Sequence, residues 1–426
     1  MDYVTRVVDA ELDELLPDLP AVSLEGPKGI GKTLTAARRS ASIWKMDHAG
    51  TAALYRANPN LILDSEPTIL IDEWQRVPTI WDAVRRAVDD GALPGRFLLT
   101  GSAAPKGVNL HSGAGRIVTV RMRPMALSER LTQPATVSLT AMLASVDDSL
   151  CTIEGESTLG LADYVHEIVA SGFPAIAASS DRAQKAQLDG YISRVIEAEF
   201  PEQGISVRRP ETLRGWLDAY AAATGTTASY NSILFAATPG LESKPAKTTV
   251  MSYRDGLSRL WLLDDVPAWT PSRNTLGRLG AMPKHFLADP ALAARLMGFD
   301  ESSLLGRSGF EGENAANGGV TGRLFEALIT LSVKTYAQAA EARVSHFREH
   351  AGAHEVDLIV HRANGSTVAL EIKLSADVDD RDVRHLLWLK QKLGSSLTDM
   401  AVIYTGKYAY RRPDGVAVIP AALLGP

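Results

Sequence analysis

The sequence predicts an α/β protein in three parts, and three observations lead to this prediction. Residues 1–135 alternate short apolar runs with helical patterns, which is typical of a parallel sheet with helices on its faces. Residues 160–300 have mainly helical periodicity, and residues 320–426 return to strand-like runs between helices. A chain of 426 residues is long enough for two or three domains, each with its own core. We therefore expect domains at these three ranges.

A glycine-rich loop follows the first apolar strand, Ala21–Glu25. It reads Gly26-Pro27-Lys28-Gly29-Ile30-Gly31-Lys32-Thr33, which is the G-x-x-x-x-G-K-[ST] pattern. Glycines let the backbone curl until its N–H groups point at phosphates, and the following helix adds the positive end of its dipole. We expect Lys32 to reach the β- and γ-phosphates of a nucleoside triphosphate and Thr33 to bind Mg²⁺. The alternative is a plain glycine-rich turn.

A second apolar run, residues 68–71, ends in two carboxylates, Asp72 and Glu73. This pattern is typical of the Walker B strand that accompanies a phosphate loop. Asp72 would hold Mg²⁺, usually through water, and Glu73 would polarise the water that attacks the γ-phosphorus. A solvated strand end is the alternative, and the preceding phosphate loop favours the catalytic interpretation.

A third apolar run, Arg96–Ser102, follows a predicted helix over Ile80–Asp90 and ends in small hydroxyl residues. A polar group at this position could orient the lytic water between the two earlier motifs. Ser102 is the candidate for this role, with Thr100 behind it. An ordinary strand-to-loop turn accounts for the same residues equally well.

These motifs together resemble the AAA+ P-loop ATPases, in particular a group of largely uncharacterised prokaryotic members. In that group the core ends in a T-G-S…G-R…P-h-s-h-x-E signature, matched here by Thr100-Gly101-Ser102, Gly115-Arg116 and Pro124-Met125-Ala126-Leu127-Ser128-Glu129. The resemblance implies ATP as the nucleotide and a homo-oligomer. Arg116 would meet the γ-phosphate in its own subunit or from a neighbour. A surface arginine in a Ser/Gly loop is the alternative for Arg116.

The middle region begins with helical patterns over Ala162–Ala198, broken by Ser171-Gly172-Phe173-Pro174. Three helices are then expected, followed by a strand from Trp261 that forms a hairpin through Trp269; the helices are Thr212–Ala223, Ser229–Ala236 and Thr248–Leu257. Three helices and a hairpin outline a winged helix, a module that often contacts DNA with its third helix. Tyr253, Arg254 and Arg259 would lie on or near that helix. Protein contact is the other common use of such a module.

Irregular segments separate the parts. Residues 132–156 are rich in Ser and Thr and predict a linker or insertion. A short strand is expected at Lys284–Pro290, and it is similar to one that precedes the last domain in the same uncharacterised group. The Gly/Ser/Asn-rich residues 305–320 predict a loop.

The last domain is predicted to have the order α-β-β-β-α-β. Its elements are a helix from Gly322 to about Ala340, strands at Arg343–Arg348, Glu355–His361 and Thr367–Lys373, a helix near Asp380–Leu393 and a strand at Ala401–Tyr404. Glu326 lies on the first helix, Asp357 in the second strand, and Glu371 and Lys373 in the third. Residues two apart in a strand point to the same face, so Glu371 and Lys373 would project together toward Asp357.

This arrangement resembles the restriction-endonuclease-like, PD-(D/E)xK fold over residues 320–410. The resemblance implies Mg²⁺ held by Asp357 and Glu371, with Lys373 acting on the nucleophile and Glu326 as a further ligand. The sequence departs from the family pattern because no Pro precedes Asp357. The alternative is an ion pair between Glu371 and Lys373 at a sheet edge, with Asp357 solvated.

Composition is ordinary for a soluble globular protein, with 45% hydrophobic and 22% charged residues. The net charge of −6 restricts DNA contact to local basic clusters, namely Val207-Arg208-Arg209-Pro210, Arg381–Lys392 and Arg411-Arg412. The single cysteine, Cys151, excludes an internal disulfide. No apolar stretch long enough for a bilayer and no signal-peptide pattern are present, so we expect a cytoplasmic protein without membrane contact.

Three functions follow as hypotheses. The first is an ATP-hydrolysing switch or remodeller that acts on DNA or on a protein partner. The second is a Mg²⁺-dependent DNA nuclease gated by ATP, with Glu326, Asp357, Glu371 and Lys373 as its centre. The third is a nucleotide-dependent partner-binding protein without nuclease activity.

Overall fold

The computed structural model describes residues 3–102, 113–145, 150–202, 204–205, 209–237, 247–270, 282–306, 314–349 and 353–426. For residues 247–248 and 314–318 it describes the backbone alone. Within these ranges no helix combines the length and the apolar character that crossing a bilayer requires.

The amino-terminal part is built around a five-stranded parallel sheet. Its strands are β1 (Ala21–Glu25), β2 (Ser42–Lys45), β3 (Ile69–Asp72), β4 (Phe97–Gly101) and β5 (Val118–Arg121). Its helices are α1 (Val7–Leu15), α2 (Lys32–Ala37), α3 (Ala49–Ala57), α4 (Asn60–Leu63) and α5 (Thr79–Asp89). The strand order is β2-β3-β4-β1-β5, and every neighbouring pair is parallel. The segments that follow β1, β3 and β4 therefore meet at one edge of the sheet.

The three apolar runs predicted as strands are present as β1, β3 and β4, and the helix predicted over Ile80–Asp90 is α5. The sequence did not predict β2 or the helices α1, α3 and α4. Strand β2 has four residues that alternate between half-buried and exposed, which is too short a run for a periodic signal.

Short elements lead from the parallel sheet to a helical middle region. They are α6 (Leu127–Arg130), β6 (Val137–Ser138), α7 (Leu139–Ala144) and β7 (Gly155–Glu156). The middle region contains α8 (Leu161–Ala170), α9 (Pro174–Ala177), α10 (Asp181–Arg194), a π-helical turn (Val195–Glu199), α11 (Phe200–Glu202), α12 (Pro210–Ala222), α13 (Tyr230–Ala237), α14 (Lys247–Arg259), α15 (Pro290–Leu296) and α16 (Glu301–Leu304). The break predicted at residues 171–174 separates α8 from α9.

A two-stranded antiparallel ribbon, residues 262–266 and 284–288, crosses the middle region. Leu263 is bridged to Leu287, and Val266 to Lys284. The predicted hairpin through Trp269 was wrong, because the Trp269 N–H donates to the carbonyl of His346 at 2.7 Å instead. The partner strand comes from beyond residues 271–281, which lie outside the described residues.

The winged-helix prediction placed Tyr253, Arg254 and Arg259 on or near the helix that would contact DNA. In the structure Tyr253 is buried and packs edge-to-face against Phe200, with 6.4 Å between the ring centroids. Tyr253, Leu257 and Leu260 are spaced four and three residues apart, so they form the apolar stripe of α14 that faces the core. The guanidinium of Arg254 lies over the ring of Tyr230 at 5.1 Å.

The C-terminal domain is a mixed seven-stranded sheet with two long helices. Its elements are α17 (Asn314–Ala339), β8 (Arg343–Arg348), β9 (Glu355–His361), β10 (Thr367–Lys373), α18 (Asp380–Leu393), β11 (Asp399–Tyr404), β12 (Tyr408–Arg411), β13 (Ala417–Pro420) and β14 (Leu424–Gly425). The sheet order is β7-β12-β13-β11-β10-β9-β8. Strands β8 to β10 form an antiparallel meander, whereas β10, β11 and β13 are parallel.

The predicted elements of this domain are all present, and two segments differ from the prediction. Helix α17 begins at Asn314, so the predicted loop over residues 305–320 was wrong in its last part. The predicted linker at residues 132–156 is packed onto the C-terminal domain, where β6 pairs with β14 and β7 pairs with β12. Buried Leu139, Met142 and Leu143 hold this segment in place.

One hydrophobic core runs through all three parts. It contains Leu24 of the parallel sheet, Phe200 of the middle region and Leu370 of the C-terminal sheet. Two smaller clusters fill the other faces, one around Ile71 and Trp74 and one beneath α18. The three parts therefore share one set of buried contacts.

Candidate functional site

The phosphate loop, residues 26–33, joins β1 to α2 and depends on glycine at three positions. Gly29 and Gly31 have φ values of +82° and +97°, a region that side-chain-bearing residues rarely adopt. A Cβ atom at Gly26 would lie 2.1 Å from the carbonyl oxygen of Met122. The loop can therefore keep this curvature and this contact with the chain after β5 only without side chains at these positions.

Lys32, the invariant lysine of the loop pattern, is folded back onto the loop. Its Nζ donates to the carbonyl oxygens of Gly26 at 2.9 Å and Pro27 at 2.7 Å. Burial lowers the pKa of Lys32 to about 8, although Glu73 and Asp72 act in the opposite direction. The Lys32 ammonium is therefore bound to the loop itself, and it is close enough to Glu73 and Asp72 for their charges to act on its pKa.

Thr33 and Asp72 are in direct contact. The Thr33 hydroxyl donates to Asp72 Oδ1 at 2.7 Å, and the Thr100 hydroxyl donates to the same oxygen at 2.5 Å. The strand register explains the second bond, since Asp72 of β3 pairs with Thr100 of β4. These oxygen atoms are of the kind that Mg²⁺ prefers, so the residues present fit the ion that the sequence implies.

Glu73 directly follows β3 in a left-handed backbone conformation, with φ of +53°. Burial raises the pKa of the Glu73 carboxyl, Lys32 opposes this rise, and Asp72 adds to it. Gln75 Nε2 donates to Glu73 Oε2 at 2.7 Å and to the hydroxyl of Ser102 at 3.3 Å. Gln75 thus connects two of the predicted residues, and no sequence pattern indicated it beyond its distance of two residues from Glu73.

Arg116 lies away from the phosphate loop of its own chain. The register of β1 with β5 pairs Val22 with Val118, so Arg116 precedes the sheet at the edge opposite to the loop. Its Nε forms an ion pair with Asp89 Oδ1 at 2.8 Å at the end of α5. The Arg116 side chain is 45% exposed and faces outward from this edge.

Arg6, which no sequence pattern indicated, supports the loop from below. It is 5% exposed, and its guanidinium donates to the carbonyl oxygens of Ile30 and Arg123, each at 2.8 Å. Arg6 also pairs with Glu129 at 3.2 Å. Glu129 closes the trailing signature, and its other oxygen accepts from the N–H of Ala126 at 2.7 Å. The last acid of the signature therefore anchors the arginine that braces the loop.

The middle region covers the loop on its outer side. Lys28 Nζ contacts Glu199 at 2.6 Å and Glu202 at 3.5 Å, and Arg76, which follows Glu73 by three residues, contacts Glu202 at 3.2 Å. A cavity of about 190 Å³ remains beside these contacts. Its lining includes Lys28, Gly29, Ser102, Tyr191, Arg194 and Glu199.

Three ranges of the chain match known protein-family models. Residues 18–131 match the model of the AAA domain. These residues are similar to a P-loop ATPase core. Residues 161–303 and 321–424 match two models that are each described as a domain of unknown function, DUF8612 and DUF4143. ATP binding by the core is supported by the AAA-domain match together with the parallel sheet and the phosphate loop.

Relatives and solved structures extend this comparison. Uncharacterised proteins of Mycobacterium bovis and Mycobacterium tuberculosis are each 27% identical over 425 residues, which cover 98% of this chain and 83% of theirs. A Walker-type ATPase of Pyrococcus abyssi is 14% identical with a TM-score of 0.34, over 68% of this chain and 94% of that one. The ORC2 protein of Aeropyrum pernix is 15% identical with a TM-score of 0.27, over 68% and 90%.

The second candidate site lies far along the chain from the ATPase core, at the acids of the C-terminal domain. We call Glu326, Glu355, Asp357 and Glu371 the acid cage. A lysine that the sequence did not assign to this site, Lys284 of the ribbon, enters it. Its Nζ lies 2.8 Å from Glu326 Oε1, 2.8 Å from Asp357 Oδ1 and 3.3 Å from Glu355 Oε1.

The charges of the cage are set by this lysine and by burial. Burial opposes the charge of Lys284, but Asp357 and Glu326 outweigh it and raise its pKa. Burial would raise the pKa of Asp357, but Lys284 and a hydrogen bond with Glu371 hold it below its usual range. Burial and the charge of Asp357 raise the pKa of Glu371 well above its usual value and that of Glu326 to about 7.

The side chains that the nuclease resemblance implies as Mg²⁺ ligands are not arranged to bind the ion. Asp357 Oδ2 accepts from the N–H of Ile372 at 2.9 Å, and its Oδ1 is taken by Lys284. Lys373 Nζ lies 3.6 Å from Glu371 Oε2 within the same strand, β10. In the part of the chain that the structure describes, no three His, Cys, Asp or Glu side chains are arranged to hold a metal ion.

Three arginines of the basic clusters named from the sequence form ion pairs. Arg411 is paired with buried Asp399, and Arg412 with Asp380 and Asp414. Arg381 is paired with Asp379. Val207 and Arg208 lie outside the described residues. These arginines stabilise local structure, and their charges are already partly neutralised.

Proposed function

We propose that the protein binds and hydrolyses ATP at the phosphate loop and uses the nucleotide to change the position of its middle region. The observation that carries this proposal is the contact of Thr33 Oγ1 with Asp72 Oδ1 at 2.7 Å. Two residues from motifs 39 positions apart meet there, in the pair of types that holds Mg²⁺ beside a bound triphosphate. When bound, Mg²⁺ would neutralise charge on the phosphates.

The remaining roles follow from what each side chain contacts. Lys32 leaves the carbonyls of Gly26 and Pro27 for the β- and γ-phosphates, which are stronger acceptors for an ammonium. Glu73 takes the proton of the attacking water, and its raised pKa suits a base that works near neutral pH. Gln75 is a positioning residue, since it holds Glu73 and reaches Ser102.

We propose that Arg116 acts on the site of a neighbouring subunit. It is exposed at the edge of the sheet opposite to its own phosphate loop, so a second copy of the chain could receive it. Release from Asp89 would cost little, because the pair is solvent-exposed. This arrangement requires a homo-oligomer in the active state.

Substitution of the two central residues tests the proposal. Lys32→Ala should abolish MgATP binding in calorimetry. Glu73→Gln should retain binding and lower the hydrolysis rate by at least about 100-fold, the effect of losing a general base. Arg39→Lys, two residues beyond the end of α2, is a control, since Arg39 pairs with Asp9 and Asp13 rather than with loop residues. Unchanged hydrolysis by Glu73→Gln would remove Glu73 from its role, and normal MgATP affinity in Lys32→Ala would refute the site.

The nuclease and DNA-binding hypotheses receive no comparable support. Two of the predicted nuclease acids, Glu326 and Asp357, are in contact with Lys284. Tyr253, which was predicted on or near the helix that would contact DNA, is buried. We therefore propose ATP-driven switching without nucleic-acid cleavage. Incubation of the protein with DNA, Mn²⁺ and ATP checks this part, and cleavage that disappears in Asp357→Ala would contradict it.

A further inference from the structure

We infer that Lys284 is the resident cation of the acid cage and keeps this site closed to divalent metal ions. The inference concerns the C-terminal domain and does not depend on ATP hydrolysis. It is drawn from the position of one ammonium group in contact with three of the four cage carboxyl groups, one from α17 and two from β9.

The ammonium lies where a metal ion would have to bind. Mg²⁺ and Mn²⁺ sites commonly use one or two carboxylates and complete the shell with water. Glu326 Oε1 and Asp357 Oδ1, the two oxygens best placed to share an ion, are both 2.8 Å from Lys284 Nζ. The Lys284 side chain is only 3% exposed, so neither water nor an ion can share this position with it.

The buried carboxyl groups of the cage also require a positive charge beside them. Two of the cage acids, Glu326 and Asp357, are largely buried, and an unpaired buried carboxylate is costly. Lys373 is directed to Glu371 and does not contact Glu326 within salt-bridge distance. Lys284 therefore supplies the charge that a metal ion supplies in a catalytic cage of similar composition.

The backbone holds the lysine in the cage. The N–H and C=O of Lys284 bond to Val266 across the ribbon, each at 2.9 Å. Two residues before Val266, Asp264 is bound by Arg121 and Arg123 of the ATPase core, each at 3.0 Å. The backbone of Lys284 therefore cannot move away from the cage unless the ribbon also shifts relative to the ATPase core.

Binding of Mn²⁺ to the full-length, nucleotide-free chain tests the inference by electron paramagnetic resonance. Wild type and Asp357→Asn should bind the same amount of Mn²⁺, because the cage is closed in both. Lys284→Met should gain about one Mn²⁺ per chain, and Lys284→Met/Asp357→Asn should lose it again. Mn²⁺ bound by wild type but lost in Asp357→Asn would overturn the inference. So would a folded Lys284→Met chain that gains none.

A measurement on the unmodified protein covers the case in which Lys284→Met fails to fold. Reductive methylation followed by peptide mass spectrometry should leave Lys284 unmodified while exposed Lys45 reacts fully. Addition of Mn²⁺ should not change this protection. Labelling of Lys284 at the rate of Lys45, or deprotection of Lys284 by Mn²⁺, would show that the lysine does not occupy the cage permanently.

Discussion

At the residue scale, the same side chain has opposite properties at the two sites. Lys32 and Lys284 are both buried, yet the pKa of Lys32 falls to about 8 and that of Lys284 rises. Lys32 contacts neutral carbonyl groups, which do not offset its loss of hydration. Lys284 contacts carboxylates at 2.8 Å, and their attraction exceeds the desolvation penalty. Lys32 is thus available for an incoming anion, whereas the positive charge of Lys284 is already balanced by carboxylates.

Gly26→Ala tests the contact between the phosphate loop and the chain after β5. The added methyl group would lie 2.1 Å from the carbonyl oxygen of Met122, which is backbone and cannot move aside alone. We expect the loop to shift and the MgATP affinity to fall by at least about tenfold, as is common for small displacements in a phosphate site.

Gly50→Ala is the matched control for Gly26→Ala. A Cβ at Gly50 meets nothing within 4 Å, and the residue lies in α3, where Ala is the better helix former. Calorimetry with MgATP should show no change in this variant. Wild-type affinity in Gly26→Ala would mean that the loop tolerates a side chain and that its contact with Met122 is not required.

At the element scale, the π-helical turn and α11 place two acids over the phosphate loop. Glu199 and Glu202 bind Lys28, and Glu202 also binds Arg76 beyond the Walker B acids. Lys28 belongs to the phosphate loop and lines the cavity beside it, and Arg76 shares Glu202 with Lys28, so under the proposed function nucleotide and middle region would compete for Lys28. This competition is a physical basis for the proposed switch, because a ligand shifts an equilibrium only through different contacts in the two states.

Glu199→Gln tests this competition. Since Lys28 would no longer be held by a carboxylate, we expect MgATP to bind about two- to tenfold more tightly, a modest gain because Lys28 is partly exposed. Glu197→Gln, an exposed substitution on the same turn, should leave the affinity unchanged. Weaker binding in Glu199→Gln would indicate that the acid supports the nucleotide site instead of competing with it.

At the scale of the whole molecule, Asp264 joins all three parts. Its buried carboxylate is paired with Arg121 and Arg123 of the ATPase core and with Lys334 of α17. Burial would raise the pKa of Asp264, but these three cations hold it far below its usual range. The single carboxylate of Asp264 therefore forms ion pairs with three cations at the junction.

Asp264→Asn and Lys334→Met should differ strongly in stability. Asp264→Asn leaves three cations without their anion, and we expect a loss of about 3–5 kcal/mol in the free energy of unfolding. Lys334→Met leaves Asp264 paired with two arginines and should cost clearly less. Urea denaturation measures both values, and equal losses would contradict the proposed charge balance.

Wild type and Lys334→Met should also differ in how their stability depends on pH. Burial lowers the pKa of Lys334 to about 8, although Asp264 opposes this, whereas the ordinary value is 10.5. Between these pH values the folded chain carries fewer protons at Lys334 than the unfolded chain, so its contribution to stability rises with pH. The stability of wild type should therefore increase relative to Lys334→Met from pH 8 to pH 10. If the difference in stability between the two proteins stayed constant from pH 8 to pH 10, the pKa of Lys334 in the folded chain would not be about 8.

The elements of the two α/β parts were largely predictable, because apolar runs of four to seven residues carry a strong local signal. Strands β9 and β10 have the predicted bounds. The ribbon was not predictable in the same way, since its strands are separated by residues 267–283 and pair across that distance. Buried Tyr253 was misassigned because an aromatic residue beside an arginine looks the same in sequence whether it faces DNA or the core.

The phosphate loop was determined by the sequence alone, because the glycines that set its curvature and the two side chains that set its chemistry, Lys32 and Thr33, all lie within eight consecutive residues. Only the tertiary structure decided which cation lies among the C-terminal acids. Lys284 and Asp357 are 73 residues apart, and Lys28 and Glu199 are 171 apart. No local pattern encodes such contacts, since they form only when the shared core brings the three parts together.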